Sequence, residues 1–188
     1  MKEQAPYSLL TGLDRVKDKS KPPIHLWNPD NVKDIDMEIK ISGEWFYLGT
    51  PINRQRLVHL FASVLRREGD EYFLVTPVEK CRIRVEDVPF LAVLLTVSGE
   101  GRDQLLTFTS NMAEEVQADV EHPLRFEFDP DTEEPSPYIL VRDRLEARLN
   151  RSVYYQLANL ITEYRLEDVD WLGVWSNGTF FPIIRNDL

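Results

Sequence analysis

The stretch NRQRLVHLFASVL at residues 53–65 has a near echo, NRSVYYQLANLI, at residues 150–161. Each stretch begins with an asparagine and an arginine and continues with apolar residues at the spacing of an amphipathic helix. The sequence therefore predicts the same kind of helix twice, about a hundred residues apart.

Both helices have recognisable start signals and apolar stripes. Thr50, which precedes Pro51, and Asn53 are alternative caps for the first helix, and Gly69 is predicted to end it. The first stripe expected to face the core consists of Leu57, Leu60, Phe61, Val64 and Leu65. The second consists of Tyr154, Leu157, Ile161 and Tyr164.

Predicted strands flank each helix in the same order. IDMEIKI at residues 35–41 alternates apolar and polar side chains, and WFYLG follows it after a turn, so a hairpin precedes the first helix. YFLVTP and CRIRVE then follow that helix. Around the second helix the corresponding stretches are YILVR and RLEARL before it, and WLGVWS, NG and TFFPII after it. The matching order favours duplication of a folding unit over a chance likeness of two helices.

We therefore predict an α+β fold with two lobes from a duplicated strand-strand-helix-strand-strand motif and mostly antiparallel sheets. Residues 1–88 would form an amino-terminal arm, a short helix within residues 7–18 and the first α+β lobe. Residues 89–188 would form a second, larger antiparallel-sheet lobe with a carboxy-proximal helix. Its additional strands are FLAVLLTV, QLLTFTS and PLRFEFD, and the first of these does not alternate, so both of its faces are expected to be covered.

Composition and charge exclude several classes of protein. The formal net charge of −10 disfavours binding to nucleic acid and to anionic lipid surfaces, although residues 54–84 carry seven cations against four anions. A single cysteine and an amino terminus without a secretory signal favour a cytoplasmic location. The longest apolar run is too short to span a bilayer, so no membrane insertion is expected.

Motifs that carry chemistry are missing from the sequence. The three histidines are far apart, and there is no zinc-binding spacing, no G-x-S-x-G and no phosphate-binding loop. Cys81 lies on the apolar face of its predicted strand and is interpreted as an inert buried thiol, and Asp34 and Asp36 as a solvated strand face. We therefore expect no catalytic residues, no metal site and no cofactor.

A set of cationic positions is the strongest candidate site. Lys80, Arg82 and Arg84 alternate along one strand and share a face, where either a bound anion or carboxylates such as Glu79 or Glu86 would neutralise them. An arginine begins each helix, and Arg144 and Arg148 are expected on the polar face of RLEARL. The candidate ligand-binding residues are Arg54, Lys80, Arg82, Arg84, Arg144, Arg148 and Arg151. The alternative is that such arginines form ion pairs from lobe to lobe.

Several segments resemble one known family in order and spacing. PPIHLWNPDNVKDIDMEI, GEWFYLGTPINR, YFLVTPVEK with VEDVPF, and VWSNGTFFPI are similar to the proteobacterial domain of unknown function 1285, from about Pro22 to Ile184. The resemblance implies two lobes from a duplicated motif, the second loosely pleckstrin-homology-like. It also implies a nucleotide-type ligand between the lobes and a role in signal transduction, and it brings no catalytic residues.

The leading functional hypothesis is a noncatalytic module that binds a small anionic or nucleotide-type ligand between its lobes, in bacterial signal transduction. The alternative is a protein-protein interaction adaptor that uses its second sheet and needs no small ligand. Nucleic-acid binding ranks third because of the acidic total charge, and an enzyme is the weakest hypothesis.

Overall fold

The computed structural model describes residues 22–186 and, in the segment before them, Leu9, Thr11 and Leu13. The predicted short helix therefore lies mostly outside the described residues, although these three are helical and both leucines are buried. The chain divides between Pro89 and Phe90 into two compact units, called unit 1 and unit 2. Among the described residues, no helix has the length and apolar character that crossing a membrane requires.

Unit 1 is a six-stranded sheet with one helix. Its elements are β1 (Val32–Ile39), β2 (Trp45–Tyr47), β3 (Thr50–Pro51), α1 (Gln55–Ser63), β4 (Leu65–Glu68), β5 (Glu71–Val75) and β6 (Lys80–Val85). The strand order is β3-β2-β1-β6-β5-β4, and every neighbouring pair is antiparallel except β1 with β6. The parallel pair lies in the middle, where it joins the hairpin before the helix to the strands after it.

Unit 2 contains a six-stranded sheet, a helix and a three-stranded sheet. Its elements are β7 (Phe90–Ser98), β8 (Leu105–Ser110), β9 (Glu115–Gln117), β10 (Leu124–Phe128), β11 (Pro135–Arg142), β12 (Leu145–Leu149), α2 (Arg151–Ala158), β13 (Thr162–Leu166), β14 (Val169–Ser176) and β15 (Thr179–Arg185). The larger sheet has the order β10-β11-β12-β7-β8-β9, and the smaller one β13-β14-β15.

The predicted two-lobe, mostly antiparallel α+β architecture is confirmed. A hairpin precedes each helix, and a run of antiparallel strands follows it. The pairing of the later strands differs, because β6 joins β1 in the same sheet whereas β13, β14 and β15 form a sheet of their own. The repeat therefore extends to the order of elements and to the antiparallel pairing within each run of strands, but not to how the later strands join the rest of the sheet.

The predicted ends of both helices were wrong. α1 stops at Ser63 instead of reaching Gly69, because residues 65–68 pair with β5 and exchange backbone hydrogen bonds there. α2 stops at Ala158, so Ile161 lies beyond it and Tyr164 belongs to β13. Neither Thr50 nor Asn53 is the cap of α1; that position is Arg54. In α2, by contrast, Asn150 accepts a hydrogen bond from the Val153 N–H at 2.9 Å.

The core of unit 1 lies where α1 packs on the sheet. Phe61, Val64 and Leu65 are buried as predicted, whereas Val58 and Ala62 replace the half-buried Leu57 and Leu60 of the expected stripe. The Phe61 ring stacks on Trp45 with the ring centroids 6.2 Å apart. The buried residues of α1 itself are therefore Val58, Phe61 and Ala62, and Val64 and Leu65 lie beyond its end.

The expectation that both faces of β7 are covered was wrong. Val93, Leu94 and Val97 are 42%, 52% and 40% exposed, while Phe90 and Leu95 are buried. The strand register shifts between Ala92 and Leu94, and α2 packs against the strand. An irregular strand with a single covering helix leaves these aliphatic side chains at the surface.

Candidate functional site

The predicted row of cations on β6 is present, and carboxylates neutralise it within unit 1. Because β1 is the parallel neighbour of β6, its acidic residues stand beside the basic ones. The Nη1 of Arg82 donates to Asp34 Oδ1 at 2.7 Å, and the Nη2 of Arg84 donates to Asp36 Oδ1 at 2.7 Å. Lys80 Nζ donates to Glu68 Oε2 at 2.5 Å. We call these six residues the ionic ladder.

The carboxylates that were expected to neutralise the basic row on β6 form ion pairs with other cations. Glu79 pairs with Lys33 at 2.5 Å, and Glu86 pairs with Lys40 at 2.8 Å. The sequence-based choice of partners was wrong. Glu79 and Glu86 are neighbours of the basic row along the chain, but their side chains pair with other cations. The carboxylates of the ladder come from β1 and, for Glu68, from β4 at the edge of the sheet.

A depression of about 420 Å³ adjoins the ladder. Its charged lining consists of Glu38, Asp70, Glu71, Arg82, Arg84 and Glu86. Four carboxylates thus face two arginines, and Arg82 Nε already lies 2.8 Å from Glu71 Oε1. The electrostatic balance at this depression does not favour an anion.

Glu68 makes the stability of unit 1 sensitive to acid. Burial raises the pKa of Glu68, but the hydrogen bonds from Lys80 and Arg66 outweigh that effect and hold the pKa below its usual 4.5. Because the folded state has the lower pKa, the stabilisation is present above the unfolded pKa and is lost as the pH falls through the folded one. We expect Glu68→Gln to be less stable than the wild type at neutral pH and to lose less stability on acidification.

Urea unfolding at a series of pH values measures this prediction. The difference in midpoint between the wild type and Glu68→Gln should be present at neutral pH and disappear as the pH falls through the lowered pKa of the folded state. Glu44→Gln, at an exposed position of unit 1, is the matched control. Coincident pH profiles for the two variants would contradict the assigned role of Glu68.

The other predicted cations occupy separate elements. Arg54 is the exposed cap of α1, and Arg151 is the exposed first residue of α2. Arg148 is half-buried on β12 and donates to Ser136 Oγ at 3.2 Å. Arg144 was expected on the same strand face, but it lies in the preceding turn with a φ of 66° because β12 begins one residue later. That the seven cations share one ligand stays a prediction.

A cluster of three aromatic rings lies on one face of the small sheet in unit 2. Tyr164 of β13, Trp175 of β14 and Phe180 of β15 have ring centroids 4.8 to 5.2 Å apart. Gly173 makes room for them, since a Cβ there would lie 2.6 Å from Phe180 Cζ and 2.3 Å from the carbonyl oxygen of Phe181. We call the three rings the aromatic triad.

Arg102 lies across the triad. Its Cζ is 5.0 Å from the centre of the Tyr164 ring and 4.9 Å from that of the Trp175 ring, both within cation–π range. The turn that carries it is fixed to β14 and its hairpin: the Gly178 N–H donates to the Arg102 carbonyl at 3.2 Å, and Gln104 Nε2 donates to the Trp175 carbonyl at 2.7 Å. These hydrogen bonds fix the backbone around Arg102 next to β14, and this places the guanidinium over the two rings.

A pocket of about 330 Å³ opens beside this arginine, and we call it the Arg102 pocket. Its lining residues are Gly101, Arg102, Gln104, Leu160, Thr162, Glu163, Tyr164 and Trp175. Successive strand residues point to opposite faces, so the side chain of Glu163 points away from the face that carries Tyr164. Its Oε1 accepts a hydrogen bond from Asn186 Nδ2 at 3.0 Å. Arg102 is thus the charged side chain on the aromatic side of the pocket.

Sequence reasoning missed this pocket. It treated the glycines at residues 99–101 as a hairpin turn and placed Tyr164 on a helix. The alternation of Thr162 and Tyr164 was a usable strand signal, but nothing in the local sequence relates Arg102 to an aromatic residue 73 positions later.

The described residues offer little for covalent or metal chemistry. Cys81 is fully buried, and burial raises the pKa of its thiol to about 11, so the reactive thiolate is disfavoured. No group of three or more histidine, cysteine, aspartate or glutamate side chains suited to a metal ion occurs in the described part of the chain.

Comparison with known proteins covers nearly the whole described chain. Residues 22–88 match the family described as "Domain of unknown function (DUF1285), N-terminal domain", and residues 89–183 match "Protein of unknown function (DUF1285), C-terminal domain". No curated protein matches the sequence.

Two crystal structures are similar to this chain. A DUF1285 family protein from Silicibacter pomeroyi DSS-3 is 48% identical, with a TM-score of 0.86 over 95% of this chain and 96% of that one. A DUF1285 family protein from Shewanella baltica OS155 is 33% identical, with a TM-score of 0.52 over 65% of this chain and 90% of that one. The chain belongs to the DUF1285 family.

Proposed function

We propose that this protein is a noncatalytic module that binds a small anionic ligand, of the nucleotide type, in the Arg102 pocket of unit 2. The observation that carries the proposal is the position of Arg102, which is stacked on Tyr164 and Trp175 at the wall of a pocket of about 330 Å³. Pockets for small molecules start at about this volume. Reversible binding of this kind suits signal transduction, the role that the family resemblance implies.

Arg102 is suited to an anion because its hydrogen-bond donors remain available. An arginine stacked on aromatic rings directs its N–H groups outward in the guanidinium plane, where they match a carboxylate or phosphate. Other arginines of unit 2 are engaged by acids: Arg125 pairs with Glu146, and Arg142 with Glu114. Within residues 22–186 no ion pair engages Arg102.

Calorimetry with a panel of anions tests the proposal. The panel contains mononucleotides, cyclic nucleotides and small aromatic carboxylates, first screened by thermal shift. We expect Arg102→Ala to weaken binding of the ligand found by at least about tenfold, the loss expected for a charge-assisted hydrogen bond. The matched control is Arg165→Ala, which removes an exposed arginine from β13 next to Tyr164.

The same calorimetry also distinguishes ligand binding at the Arg102 pocket from ligand binding at the cations that were predicted from the sequence. If Arg54→Ala or Arg151→Ala weakens binding while Arg102→Ala does not, the ligand lies elsewhere and the Arg102 pocket is not its site. If no anion of the panel binds the wild type at millimolar concentration, the proposed function is wrong.

A protein-interaction adaptor is the second candidate function. The exposed aliphatic side chains Val93, Leu94 and Val97 on β7 favour it, because such residues in one strand provide apolar contact area. An adaptor predicts that a captured partner is lost with Leu94→Asp and retained with Arg102→Ala. Retention with both variants would exclude β7 as the contact surface.

A further inference from the structure

The aromatic face of the small sheet continues beyond the Arg102 pocket. Trp171 of β14 stands directly opposite Tyr164 of β13, so their side chains share one face and their Cβ atoms are about 5 Å apart. Trp175 lies on the same face because it is four residues along the strand from Trp171. The triad and Trp171 therefore lie on one face of the small sheet and form an aromatic row there.

A bulge in β15 places a second arginine on this row. The register of β14 and β15 shifts between Leu172 and Gly173, with Gly173 opposite Pro182 and Trp171 opposite Arg185. Without the extra residue, strict alternation would turn Arg185 to the other face; with it, Arg185 faces the same way as Trp171. Its Cζ lies 5.4 Å from the centre of the Trp171 ring.

Arg185 and Arg102 share their electrostatic situation. Both are exposed, both are stacked on aromatic rings, and neither forms an ion pair with a carboxylate of the described residues. Arg165, which belongs to the opposite face of the same sheet, does approach carboxylates, with its Nε 3.8 Å from Asp168 Oδ1. In a protein with a formal charge of −10, it is unusual for two arginines on one aromatic face to have no acidic partner among residues 22–186.

We propose that the ligand of the Arg102 pocket extends along this face to Arg185 and carries two separate anionic groups joined by a planar body. One anionic group is bound by Arg102 and the other by Arg185, and the body spans the face between these two guanidinium groups, which themselves cover the Tyr164 and Trp171 rings. This inference rests on the proposed function, since it assumes that Arg102 binds an anion. Phosphate and carboxylate share the chemistry that both guanidinium groups recognise.

Two matched pairs of probes test the proposal by calorimetry. Methyl phenyl phosphate and 1,4-phenylene bis(methyl phosphate) carry one and two phosphodiesters on the same ring, and benzoate and terephthalate carry one and two carboxylates on the same ring. The variants are Arg102→Ala, Arg185→Ala and the control Arg165→Ala, each with its melting temperature compared with the wild type.

We expect the dianion of at least one pair to bind the wild type about tenfold or more tightly than its monoanion. Arg185→Ala should remove that advantage and leave the monoanion unaffected, whereas Arg102→Ala should weaken both members of the pair. The pair that shows the effect identifies phosphate or carboxylate as the preferred group.

The opposite results separate this inference from the proposed function. If Arg102→Ala weakens binding and Arg185→Ala changes neither member of either pair, the site takes a single anion: the inference is overturned and the proposed function stands. If none of the probes nor any anion of the earlier panel binds the wild type, both are wrong.

Discussion

Gly173→Ala is expected to lower the free energy of unfolding by about 3 kcal/mol, the upper part of the range for inserting a methyl group into a packed site. The added Cβ would lie 2.3 Å from the Phe181 carbonyl oxygen, which is held in the strand ladder and cannot move alone. It would also lie 2.6 Å from Phe180 Cζ. Both contacts require β14 and β15 to separate locally or the Phe180 ring to leave the aromatic triad.

The same substitution is expected to abolish binding at the Arg102 pocket, because Tyr164 and Trp175 lose the neighbour that fixes their rings. Urea unfolding gives the stability change, and near-ultraviolet circular dichroism reports the packing of Trp175. Gly69→Ala is the control: its φ of 60° strains an alanine, but nothing lies within 4 Å of the new Cβ. A loss of about 1 kcal/mol is expected there. Equal losses for the two variants would show that steric contact at Gly173 is not the cause.

Phe61→Ala should destabilise unit 1 by about 3 to 5 kcal/mol, the usual cost of removing a buried aromatic ring. Phe61 is completely buried and stacks on Trp45, so the substitution removes apolar contacts and leaves a cavity between α1 and the sheet. Trp45 fluorescence should change in the folded state, and amide hydrogen exchange should accelerate in unit 1.

His59→Ala on the same helix is the matched control for Phe61→Ala. His59 is exposed, so its loss should change the free energy of unfolding by no more than about 0.5 kcal/mol. A small effect of Phe61→Ala would mean that α1 is not packed on the sheet as described.

Local patterns in the sequence were sufficient to predict those elements that a few neighbouring residues specify. The alternation from Ile35 to Ile41 predicted most of β1, and the Asn177-Gly178 turn predicted the hairpin of β14 and β15. Both turn residues have positive φ, 49° and 70°, as a tight two-residue hairpin requires. Phe61 was also recognised as a core residue from helical spacing.

Sequence signals failed where strand pairing decides the structure. Leu65 ends the apolar stripe predicted for α1, yet residues 65–68 form β4 because they pair with β5 across a short turn. Likewise, the row of Lys80, Arg82 and Arg84 was correctly placed on one face, but its partners could not be chosen without knowing that β1 is the parallel neighbour of β6.

The sequence by itself determined the two helices, most of the strands, the repeated order of elements and the family. Tertiary structure alone decided which charges neutralise one another and that Arg102 and Arg185 lie on a shared aromatic face. The physical reason is range: backbone periodicity and turn conformation are set by neighbouring residues, whereas an ion pair or a cation–π contact depends on strand register. Arg102 meets Trp175, and Arg185 turns towards Trp171, only because the strands pair with one particular offset and one bulge.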